Sequence, residues 1–71
     1  MARYLVTTRR AERDSTISAA DAVTGEPGIT PVDMTDPHMV TVEATEEAAN
    51  RLRLKLRDTH FVEPEIRHSL H

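Results

Sequence analysis

Residues 39 to 66 change hydrophobic period twice, and that double change restricts the available folds more than any other feature of the chain. In "MVTVEA" (39 to 44) the side chains alternate, and Val40 and Val42 share one face of a strand. The period then lengthens. At about 100° per residue Ala48, Ala49, Leu52 and Leu56 fall on one stripe of a helix, with the Lys55 stem at its margin. Arg51, Arg53 and Arg57 stay off the centre of that stripe, and Leu54 points the opposite way. Thr45 is placed to cap this helix, and Glu46 and Glu47 sit where the positive end of the helix dipole favours carboxylates. Arg57 suits the negative end. Asp58 and Thr59 form an exit, and "HFVEPEI" (60 to 66) returns to a strand. A helix with one apolar stripe between two strands has to lie across the sheet that those strands join.

The first half repeats this order less clearly. "RYLVTT" (3 to 8) is β-branched and aliphatic and reads as a strand with Tyr4 and Val6 on one face. Asp14 or Ser15 offers a cap to a short helix on which Ile17, Ala20 and Val23 recur at helical spacing, and Gly25 and Pro27 end it. "GITPVDM" (28 to 34) reads as a second strand, "TDPH" (35 to 38) as a turn, and residues 39 to 44 as the returning arm of a hairpin. Pro31 and Pro64 cannot donate to a ladder, so both of their strands belong at sheet edges. The resulting order, β-α-β-β-α-β, predicts an α+β, ferredoxin-like fold. Its sheet has four antiparallel strands with the first and third in the centre and two helices on one face, leaving the other face open. Residues 1–66 form that domain, and residues 67–71 continue as an extended arm.

Composition removes several classes of function. The chain has 71 residues, enough for one domain with a modest core. It has no cysteine, a net charge of −3, and Tyr4 and Phe61 as its only aromatic residues. Stacking rings and a basic stripe are both missing, which argues against nucleic acid. The apolar run Tyr4-Leu5-Val6 is too short for a membrane span or a signal-peptide core, so the chain reads as soluble, without a visible export address. His38 falls in a turn, His60 at a strand start, and His68 and His71 in the arm, all expected to face solvent or a partner rather than a metal. Gly25 and Gly28 are the only glycines, which leaves no phosphate-cradling loop, and neither catalysis nor a cofactor is expected. A binding protein remains, with an open sheet face and an arm already extended enough to add to a partner as a strand. Glu63 and Glu65 stand on the same side of their strand. They are suited to capping helix N-termini on a partner, or else are solvated charges that keep an edge from aggregating.

The segment "VTVEATEEAANRLRLKLRDTHFVEPEIRHSLH" resembles the second half of subtilisin propeptides and of the stand-alone protease inhibitors built like them. The shared features are a hairpin strand, a "T-x-E-x-x-x-x-L" helix, and an aromatic-Val-Glu strand leading into a terminal tail, here "HFVEPE" (60 to 65) and residues 66 to 71. The first half matches in element order, with "RYLV" near its start. The resemblance implies the same fold and a monomeric inhibitor of a subtilisin-like serine protease. In that family the open sheet lies on two surface helices of the enzyme, which the acidic residues at the positions of Glu63 and Glu65 cap. The tail enters the active-site cleft as a cleaved product would, which places His71 in the primary specificity pocket and Leu70, Ser69 and His68 back along the cleft. When attached to its protease such a domain also assists folding. The 71 residues include no protease domain, which implies action in trans. Two positions depart from the family pattern. Pro64 separates the acidic residues, favouring extended geometry at Glu63 while deleting one donor. His68 and His71 are more polar than the usual pocket residues, which implies a target of unusual preference and weaker binding in acid. The rival expectation is a small ferredoxin-like regulatory module that dimerises through its sheet and binds a small ligand. A further rival keeps the propeptide fold without an inhibitory tail.

Overall fold

The computed structural model describes residues 2–65. Strand β1 (Ala2–Thr8) leads through a single 3-10 turn at Arg10–Glu12 to helix α1 (Ala19–Val23). Strands β2 (Ile29–Asp36) and β3 (Met39–Ala44) form the hairpin, and helix α2 (Glu46–Leu56) connects to strand β4 (His60–Pro64). The strands join in one antiparallel sheet of order β2-β3-β1-β4, with β1 and β3 central as the sequence implies. This is an α+β fold with four strands and two helices in ferredoxin-like order. No helix among the described residues is long and apolar enough to cross a membrane.

One face of the sheet is covered. Tyr4 and Val6 on β1, Val40, Val42 and Ala44 on β3, and Val62 on β4 are buried against Ala48, Ala49, Leu52 and Leu56 of α2. The stripe read from the sequence is therefore the stripe that packs, and Leu54 on its far side is 71% exposed. The Thr45 hydroxyl accepts from the Ala48 N–H at 3.1 Å, satisfying one of the donors that a helix start leaves open. Around α2 the loop from α1 is drawn in closely. Arg51 Nη2 donates to the Pro27 carbonyl at 3.0 Å, and Lys55 pairs with Glu26. Gly28 has φ +78°, and a Cβ there would stand 2.9 Å from Ala48 Cβ, so only glycine fits both the turn and the approach.

Helix α1 differs from its expectation. The cap is Ser18, whose hydroxyl accepts from Asp21 N–H at 3.2 Å, and not Asp14 or Ser15. Five residues are helical, and Ala19, Ala22 and Val23 are the buried ones, while Ile17 precedes the helix and is 53% exposed. Ile17, Ala20 and Val23 do have helical spacing, but a helix this short is positioned by its contacts to the sheet rather than by its own periodicity. β2 also runs farther than the sequence suggests. It reaches Asp36 through shifts of register after Pro31 and Asp33, so that Pro37 and His38 alone make the turn.

His60 corrects a second expectation. It is 2% exposed rather than at the surface. Alternation along β4 sets it on the same face as Val62, under the helices, where it pairs across the strands with buried Thr8.

Candidate docking face

The uncovered face is built in cross-strand rows. At one end Arg3 of β1 pairs with Glu43 of β3, and the Arg3 carbonyl accepts from Glu65 N–H at 3.0 Å. In the next row Leu5 lies between Thr41 and Glu63, and Asp33 of β2 extends the row beyond Thr41. In the third, Thr7 lies between Met39 and Phe61. The face thus carries Glu43, Glu63 and Glu65 around Arg3 toward the end where β4 finishes, and Met39 and Phe61, with Asp36 of β2 beyond Met39, toward the end where β4 begins. Met39 is 48% and Phe61 42% exposed, which leaves much of that apolar surface in water.

Glu63 falls where the sequence places it, exposed on β4. The bond from Glu65 to Arg3 carries the ladder one pair beyond the strand, so alternation sets Glu65 on the same face about 7 Å along the chain. Nearby on β2, hydrogen bonds from the backbone N–H and then the hydroxyl of Thr35 hold the Asp33 carboxyl below its ordinary range. The proposed cleft-binding residues His68, Ser69, Leu70 and His71 lie outside the described residues.

Two residues of this face were missed in the sequence. The Arg9 guanidinium stacks over the Phe61 ring with its carbon 4.0 Å from the ring centroid, and its Nη2 donates to the Arg57 carbonyl at the end of α2 at 2.7 Å. Arg9 thereby ties the outward face of the Phe61 ring to the carbonyl end of α2. The available signal was alternation. With Val62 inside and Glu63 outside, Phe61 has to share the side of Glu63.

The edges of the sheet are less suited to a partner than its face. The Glu65 and Arg9 bonds to Arg3 and Thr59 show that residues 61, 63 and 65 turn their backbone groups toward β1, so Pro64 turns its missing donor outward. On that outer side the Val62 carbonyl already accepts from Arg53 Nε at 3.0 Å. By the same register Pro31 faces away from β3 on the other edge. A strand added to either edge would meet a proline where it needs a donor.

Arg51, Arg53 and Lys55 lie on α2 with Arg57 at its end, after the acidic first turn of Glu46 and Glu47, while Glu43, Glu63 and Glu65 lie on the sheet with Arg3 among them. Among the described residues no pocket opens, and no three acidic or histidine side chains gather as a metal would require. No family model, no curated protein and no solved structure matches the chain.

Proposed function

We propose that this protein inhibits a subtilisin-like serine protease, docking through the open sheet face and placing the residues after Glu65 in the active-site cleft as a product. The observation that carries this reading is the arrangement of the face. Glu63 and Glu65 stand in register on one side of the strand from which the chain runs on toward residues 68 to 71, beside the apolar surface of Leu5, Met39 and Phe61. Paired carboxylates there suit a partner that offers unpaired helix N–H groups, and the side chains of Leu5, Met39 and Phe61 supply apolar area to bury beside them. The prolines at both edges favour docking by the face over strand addition, and they also disfavour edge-to-edge dimers. Sequence resemblance to the propeptide inhibitors supplies the identity of the partner class.

Inhibition of a panel of subtilisin-type proteases by the intact chain, by one lacking His68–His71, and by Glu63→Ala/Glu65→Ala tests the reading. The intact chain is expected to inhibit, the truncation to lose most of the effect, and the double variant to weaken it about tenfold or more. A panel untouched by the intact chain would overturn it.

A further inference from the structure

At the end of the sheet farthest from Glu65, three residues form a row on the covered face. Thr8 of β1 pairs with His60 of β4 on one side, and its N–H donates to the His38 carbonyl at 2.9 Å on the other. Thr8 and His60 are 1% and 2% exposed. The side chains of the row hold the lead-in to α1. The Thr8 hydroxyl oxygen accepts from Ala19 N–H at 3.0 Å and lies 3.2 Å from His38 Nδ1. His60 Nε2 lies 3.0 Å from the Ile17 carbonyl and must carry a hydrogen to bond it, while Nδ1 lies 2.6 Å from the Thr59 hydroxyl. One more tether, Ala20 N–H to the Pro37 carbonyl at 2.9 Å, completes the attachment. A five-residue helix has too few internal bonds to persist alone, so these tethers and three buried side chains are what keep α1 in place.

We propose that this row is an acid-released joint, in which protonation of His60 frees residues 17 to 23 from the sheet while the sheet itself and α2 stay folded. The neutral imidazole is fully bonded, taking the Thr59 hydroxyl hydrogen at Nδ1 and donating from Nε2 to Ile17. A second proton turns Nδ1 into a donor and sends the Thr59 hydroxyl toward the Leu56 carbonyl at 3.4 Å, so hydrogen bonding does not forbid the charge. Burial does, because a cation under α1 lacks water. The charged groups on the surrounding elements give it no relief. His38 on the turn acts against the charge, and its backbone N–H donates to Asp36 Oδ1 at 2.9 Å. Arg9 after β1 is engaged with Phe61 and Arg57 and is itself a cation. The Asp58 side chain after α2 is 91% exposed with its Oδ1 4.0 Å from Arg57 Nε, and Asp21 in the first turn of α1 is exposed. Lifting α1 gives the imidazolium its water at the expense of the least self-sufficient element in the fold.

Burial first, then His38, lowers the His60 pKa from its ordinary 6.5 against the opposing effect of the Ile17 bond. The opened form therefore takes up the proton more readily than the closed one. The joint holds fully above about pH 6.5 and weakens as pH falls through the lowered value. Amide hydrogen exchange, corrected for intrinsic rates, reads this directly. Between about pH 7.5 and 5 the amides of Ala19, Ala20 and Ala22 are expected to exchange about tenfold or more faster, while those of Val6, Val40 and Leu52 hold. In His60→Gln, which keeps a donor but cannot titrate, the acceleration is expected to fall below about threefold. The midpoint in the wild type is expected to coincide with the His60 imidazole titration followed by NMR, a comparison that stands even if the variant does not fold. Exchange at residues 19 to 22 that ignores pH, an acceleration that survives in His60→Gln, or a midpoint away from that of His60 would each overturn the proposal.

Discussion

The two helices occupy equivalent places in the fold and are held by different means. Helix α2 has eleven residues, a threonine cap, acidic residues in its first turn, and four buried side chains on one stripe. Helix α1 has five residues and, beyond its own Ser18 cap, relies on the Thr8 hydroxyl, the Pro37 carbonyl and the His60 imidazole. A helix that carries its own start signal and stripe forms wherever an apolar surface receives it. One that borrows its bonds depends on every lender, and so becomes the part of the molecule that a local change releases first.

The largest effect should come from the core on the α2 side. Leu52 is among the largest fully buried side chains, and Leu52→Ala is expected to cost about 2–5 kcal/mol, against about 1–2 kcal/mol for Val23→Ala on α1. Urea midpoints compare the two, and an equal loss would erase the distinction between the helices. Gly28→Ala comes next. It forces a side chain into a left-handed backbone and against Ala48, and is expected to cost about 2 kcal/mol with thermal unfolding as the readout. A neutral outcome would mean that the loop moves off α2 freely. Smaller still is the contrast of caps. Thr45→Ala is expected to cost about 1 kcal/mol and Ser18→Ala about half that, since α1 gains little from a cap of its own. A larger penalty at Ser18, measured by the same unfolding curves, would make α1 the more self-reliant helix.

Legibility in the sequence divides along the same line. The α2 half was legible because period, cap and stripe all point one way, and Thr45, Ala48, Ala49, Leu52 and Leu56 take the places that the sequence assigns. The first helix starts later than its apolar spacing implies: Ile17, Ala20 and Val23 satisfy a helical period that the chain does not use there, and Ser18, which caps Asp21 N–H, competes in the sequence with Asp14 and Ser15 as equally plausible caps. Burial of His60 was hidden for a related reason. A polar residue at a strand start is normally wet, and only the pairing with Thr8 and the cover from Ile17 make this one a core residue. On the open face, alternation alone is enough to set Glu63 and Glu65 on one side of their strand. Arg9 beside Phe61 required knowing where β1 ends relative to α2, which is a matter of tertiary structure.

The outward-facing prolines at positions 31 and 64 bear on how this protein behaves when it is abundant. Small domains with a bare sheet and a thin core are prone to join edge to edge into ribbons, especially when partly opened. With a donor missing from each border, a strand stacked on either edge forfeits a ladder bond, which disfavours growth in both directions. The side chains of Leu5, Met39 and Phe61 then lie on a face whose borders resist fibre formation.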